Sequence, residues 1–149
     1  MINLSVASND NERLCLRLLK AMEDGTFRTD SRDLCTPDFV FENSGLPTIH
    51  GLDHLEAFNA EGGFARLIPI IRDTRRFTVD LLHIASSGNA VFTERYDHFW
   101  DKDGRDLMTP RICGIMEIRD GRVCAMREYY DTACYSQSPT DPNPDFAQS

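Results

Sequence analysis

From Thr74 to Tyr130 apolar and polar residues alternate in four runs parted by turn sequences. This limits the fold more than any other feature, because side chains on a strand point to opposite faces in turn. The runs are Phe77–Ile84, Ala90–Trp100, roughly Arg105–Ile118, and Val123–Tyr130. Ser86–Asn89, Asp101–Gly104 and the Asp120–Gly121 pair separate them, and Asp-Gly is a strong hairpin signal. Four strands joined by short turns predict an antiparallel meander.

The N-terminal part follows a different period. Leu14, Leu18 and Met22 recur every four residues beside Cys15 and Leu19, which makes one apolar helix stripe. Asn9 or Asp10 can cap its start, and Gly25 suits its stop. A helical turn is expected over Ser31–Cys35, ending before Pro37, followed by a short strand Phe39–Asn43 and a loop Ser44–Thr48. After Gly51 the spacing of Leu55, Phe58, Phe64, Leu67 and Ile71 reads as helix, broken or bent at Gly62–Gly63. Helices first and a meander afterwards give an α+β fold. Its curved antiparallel sheet wraps around N-terminal helices into a cone, with a pocket between them.

A chain of 149 residues fits one domain, placed at residues 1–135. Beyond Tyr135 the polar tail, residues 136–149, carries Pro139, Pro142 and Pro144, and reads as a flexible arm or a surface strap. The net charge of -8, with Lys20 and Lys102 the only lysines, argues against nucleic acid or an anionic membrane as partner. No apolar run reaches membrane-spanning length and no leader pattern opens the chain, so a cytoplasmic location is expected. The five cysteines are odd in number and form no C-x-x-C pair. They read as free thiols, and no metal site or cofactor is expected from them.

Alternation places Thr93, Arg95 and Asp97 on one face of the second strand, with Val91 and Phe99. It places Cys124, Met126, Glu128 and Tyr130 on one face of the fourth. If both faces look into the cone, two carboxylates and a guanidinium meet in an apolar cavity. One carboxylate can then deprotonate water while the other protonates an epoxide oxygen. The competing reading is a buried ion pair that serves only the fold.

His83–Gly88 followed by Val91-Phe-Thr-Glu-Arg-Tyr-Asp97 resembles the segment around the catalytic arginine and aspartate of limonene epoxide hydrolases. Gly114-Ile-Met, Asp120-Gly-Arg122 and Met126–Asp131 resemble that family's last hairpin, and Phe41-Glu-Asn43 with Leu46-Pro47 and Gly51 its water-positioning loop. The resemblance runs from about Asp38 to Asp131. It implies the cone fold shared with ketosteroid isomerase and scytalone dehydratase, a lipophilic substrate, a homodimer and no cofactor. It also implies that Arg95 bridges the carboxylates, Asp97 is the acid, Glu128 the base and Asn43 a holder of the attacking water. Two positions depart from the family. Glu128 stands where the family has aspartate, moving the base by about 1.5 Å. Phe41 stands where it has a water-holding tyrosine. The expected pocket lining is Phe41, Leu46, Met116, Met126 and Tyr130.

His50 and His54 stand four apart, as a metal pair on a helix does, but no third ligand is evident. His83 and His98 read as sheet residues, and Phe99 and Trp100 as core or dimer-contact residues. The leading function is epoxide hydrolysis. Its rivals are a SnoaL-like cyclase, isomerase or dehydratase using the same acid and base, and a non-catalytic small-molecule-binding domain.

Overall fold

The computed structural model describes residues 1–148. Helix α1, Asp10–Asp24, starts as its sequence dictates. Asn9 Oδ1 accepts from the Glu12 amide at 2.9 Å, and Glu12 reaches back to the Ser8 amide at 2.7 Å. Gly25 closes it with φ 71°. Leu14, Cys15, Leu18 and Leu19 are buried and Met22 is half-buried, so the apolar stripe faces the core.

Helix α2 spans Phe27–Leu34, longer than the turn expected at Ser31–Cys35. Its residues are nearly all polar and only Leu34 is buried, so no apolar period betrays it. Strand β1, Cys35–Asn43, contains Pro37, and its register with its neighbour shifts between Cys35 and Val40, consistent with proline's missing N–H. After a two-residue strand β2, Ile49–His50, come α3, Leu52–Ala60, and α4, Phe64–Leu67. The break between the two helices falls at the expected Gly62–Gly63 pair.

The meander follows as β3, Arg76–Ser87; β4, Ala90–Trp100; β5, Arg111–Arg119; and β6, Arg122–Tyr129. Asp120 (φ 53°) and Gly121 (φ 74°) form the β5–β6 turn, both residues being left-handed as a two-residue hairpin of this kind requires. Strand β5 starts six residues later than expected. Residues 105–110 instead tuck in irregularly, with Leu107 and Met108 buried and Pro110 unable to donate to a ladder.

The sheet order is β2-β1-β6-β5-β4-β3. All neighbours are antiparallel except β1 and β6, which run parallel. The meander is therefore extended by a parallel seam that joins its last strand to the first. Helix α1 crosses the concave face, and its Glu23 ties down the amides of Ile2 and Val79, each at 2.8 Å. Between helices and sheet lies the core, built on Leu16, Leu19, Phe39, Val79, Val91 and Val123.

Beyond Tyr135 the chain lies over the 101–110 segment. The Thr140, Asn143 and Gln148 amides donate to Asp106, Gly104 and Lys102, and the Phe146 ring stacks on Trp100 at 3.9 Å. Among the described residues no helix is long and apolar enough to cross a membrane.

Candidate active site

Strand β4 lies between β5 and the edge strand β3, and its inward face carries Thr93, Arg95 and Asp97. Glu128 reaches the same point from β6, across Gly114 of β5. Arg95 is 1% exposed. Its Nε donates to Asp97 Oδ1 at 2.9 Å, its Nη1 to Thr93 Oγ1 at 3.1 Å, and its Nη2 to Glu128 Oε1. A longer contact of 3.4 Å joins Nη2 to Asp97 Oδ2. Glu128 Oε2 is buried and has no hydrogen-bond partner in the protein. Leaving a buried carboxylate oxygen unpaired is costly, and the cost is least when the carboxyl is neutral.

Burial is the largest influence on both carboxyls and raises their pKa values, against the opposing pull of Arg95. Asp97 raises Glu128 further. Burial alone would lower Arg95, but its two carboxylate partners outweigh that and hold it charged. Two acids thus share one fixed cation, which favours a pair holding one proton between them.

Gly114 makes this geometry possible. A Cβ there would stand 2.5 Å from Arg95 Nη1 and 2.6 Å from Glu128 Oε2. In the sequence Gly114 stands out only as part of the Gly114-Ile-Met motif. The available signal was a lone glycine inside a strand between Ile112 and Ile115, which often marks a close approach.

Asp97 and Glu128 open onto a cavity of about 380 Å³. Its walls include Phe27, Phe41, Phe64, Phe77 and Phe99, and its other polar groups are Asn43, Thr74 and Tyr130. Asn43 ends β1 directly opposite Glu128 on the parallel seam. The structure thus brings together Arg95, Asp97, Glu128, Asn43, Phe41 and Tyr130.

Three expected lining residues lie elsewhere. Met116 and Met126 face each other across β5 and β6 inside the core, 2% and 1% exposed. Leu46 packs against the Ile68, Ile71 and Met108 cluster, which itself walls the cavity, without lining the cavity. Cys124 also leaves the face assigned to it. The β5–β6 register shifts so that Ile118 pairs with Val123 and Glu117 with Ala125, which makes Cys124 a bulge. Its thiol donates to the Glu117 carbonyl instead of facing inward.

The histidines stand apart from this cavity. His54 Nδ1 accepts from the His50 amide at 3.0 Å, and both residues are exposed. His83 is exposed beside Glu94, and His98 lies between Asp106 and Asp80. Among the described residues no group of three or more His, Cys, Asp or Glu side chains is placed to hold a metal ion. Trp100 is 8% exposed and lies beneath Phe146, while Phe99 belongs to the cavity wall.

The limonene-1,2-epoxide hydrolase catalytic domain matches residues 9–138 of this chain. Epoxide hydrolase EphG of Mycobacterium tuberculosis is 29% identical over 122 residues, covering 76% of this chain and 68% of that protein. Among solved structures, an LEH-like epoxide hydrolase of M. tuberculosis superposes with a TM-score of 0.63 at 27% identity, covering 85% of this chain and 86% of the other. A putative SnoaL-like polyketide cyclase from Jannaschia sp. CCS1 superposes with a TM-score of 0.66 at 19% identity, covering 90% of this chain and 94% of the other, and shows the shared fold.

Proposed function

Because the chain belongs to the limonene-1,2-epoxide hydrolase family, we propose that it adds water to the epoxide of a lipophilic small molecule, terpenoid or polyketide-like, without a cofactor. The observation that carries this reading is the buried Arg95–Asp97–Glu128 cluster opening onto an apolar cavity. Glu128 is the base, its carboxyl raised by burial and held by Arg95 through Oε1. It takes a proton from water while the water oxygen attacks an epoxide carbon. As the C–O bond breaks, Asp97 gives its proton to the epoxide oxygen, and a diol results. A proton returned from Glu128 to Asp97 restores the starting state. Arg95 stays charged throughout and keeps the two carboxyls unequal in protonation. Asn43, next to Glu128, holds the attacking water.

The assay is diol formation from a panel of apolar epoxides in heavy-oxygen water, with the parent and Glu128→Gln compared. The parent is expected to form diol carrying one label, and the variant to lose about 100- to 10,000-fold in rate. No diol from any epoxide would overturn the proposal.

Phe41 favours a second reading, a cyclase, isomerase or dehydratase using the same acid and base. A phenyl group on the wall beside Asn43 offers water no hydrogen bond. An unlabelled, rearranged product would select that reading. A purely binding role fits less well, since buried charges cost desolvation energy that an apolar binding pocket need not bear.

A further inference from the structure

Behind Asn43 lies a chain of hydroxyls that ends on a main-chain carbonyl. The Tyr135 hydroxyl, from the 3-10 turn Thr132–Ser136, donates to the Ser44 carbonyl oxygen at 2.5 Å. A carbonyl can only accept, so that contact uses the single proton of Tyr135. The Tyr130 hydroxyl lies 2.6 Å from the Tyr135 oxygen and must be the donor there. This uses the single proton of Tyr130. Burial first, and then the bond to Tyr135, push the Tyr130 phenol above its ordinary pKa, in keeping with a phenol that keeps its proton.

The Tyr130 oxygen then has only acceptor capacity left. It lies 3.5 Å from Oδ1 of the Asn43 amide, a contact the Tyr130 hydroxyl cannot donate to once its proton is given to Tyr135. Of the two ends of that amide, only the NH₂ can satisfy an acceptor, and a half-turn of the side chain exchanges the ends. The half-turned amide sets its NH₂ against Tyr130 and carries Oδ1 away from it. The surrounding backbone is fixed as well. The Ser44 amide donates to the Glu128 carbonyl at 3.1 Å, and the Tyr130 amide donates to Ser44 Oγ at 3.1 Å.

We propose that Tyr130, relayed by Tyr135 to the Ser44 carbonyl, is a positioning residue that locks the Asn43 amide with Oδ1 toward the cavity as acceptor for the attacking water. This rests on the hydrolase reading above. The attacking water then gives one proton to Glu128 and has its other held by Asn43 Oδ1, so its lone pair points at the epoxide. The hydroxyl absent from Phe41 is compensated through the amide of Asn43 rather than by direct contact with water.

The test is a double-mutant cycle on diol formation with Tyr130→Phe, Asn43→Ala and both together, beside Tyr135→Phe. Tyr130→Phe is expected to lower kcat by roughly 10- to 100-fold, with KM within twofold, because the phenyl wall that holds the substrate is unchanged. In the Asn43→Ala background the same substitution is expected to have no further effect, as for two residues acting through one contact. Tyr135→Phe frees the Tyr130 proton to turn toward Asn43, and a fall in kcat of the same order is expected. It tests the relay even if Tyr130→Phe fails to fold. A parent that forms diol while Tyr130→Phe and Tyr135→Phe keep kcat within twofold would overturn this inference and leave the hydrolase standing. So would a Tyr130→Phe loss that persists in the Asn43→Ala background. A parent that forms no diol overturns both.

Discussion

Replacing Gly114 by alanine adds one methyl group at the most crowded point of the site. That carbon would lie 2.5 Å from Arg95 Nη1, 2.6 Å from Glu128 Oε2 and 3.0 Å from Thr93 Oγ1. Ordinary contact begins at about 3.4 Å, so the guanidinium and the carboxylate must each retreat by about 0.8–0.9 Å. Neither is free to do so, since Arg95 is bonded to Thr93, Asp97 and Glu128 at once. Alanine relieves the entropy cost of glycine in a strand by about 0.5–1 kcal/mol. Overpacking a well-filled interior costs about 1–3 kcal/mol. The expected balance is a destabilisation of about 1–2 kcal/mol, read from urea unfolding. The effect on rate should be larger, because a displacement near 1 Å at a reacting group can cost about 100-fold. A Gly114→Ala protein as stable as the parent, with kcat/KM within threefold, would refute the argument that this glycine sets the spacing of the cluster.

The pH–rate profile should be bell-shaped, with both limbs belonging to the Asp97–Glu128 pair. The acid limb should lie above the ordinary carboxylate range, because burial raises both groups. A raised pKa means that the fold favours the protonated form. The stability this contributes is present below the ordinary carboxylate value and is lost as pH rises through the raised one. Unfolding free energy should therefore fall over that window in the parent and fall less in Glu128→Gln; equal slopes would remove the argument. The protein is also expected to be a homodimer through the sheet, where Phe92 and Tyr129 are exposed. Light scattering should give twice 17.0 kDa, and a monomer at micromolar concentration would end that expectation.

Strand β4 was legible to the residue because buried and less buried positions alternate from Ala90 to Asp97 between two turn sequences. The same rule put Arg95 and Asp97 on one face of β4 and Glu128 on one face of β6, and the structure turns both faces inward. It failed at Cys124, where a bulge adds one residue to the strand and shifts the phase. It also cannot distinguish depth within the cone. Met116 and Met126 point inward as expected but end in packed core beyond the cavity. Of the phenylalanine walls, Phe41 was legible as lining and Phe99 as a neighbour of Asp97 on its face, but Phe27, Phe64 and Phe77 come from three other elements. No local pattern links them. The hydroxyl chain of Tyr130 and Tyr135 likewise depends on where the turn after β6 lands, which spacing does not reveal.

The parallel seam between β1 and β6 has a consequence for the order of folding. Each turn of the meander closes a short loop, so its hairpins can form early and locally. Asn43 and Glu128 pair across 85 residues of chain, and closing so long a loop from the open chain costs about 4 kcal/mol more than the shortest closure. The hairpins shorten the effective loop, and the two ends gain their partner only after those hairpins exist. The Asn43 side of the pocket is therefore among the last parts to assemble. A nascent chain that has not yet delivered β6 has neither Glu128 nor the seam that sets Asn43 beside it.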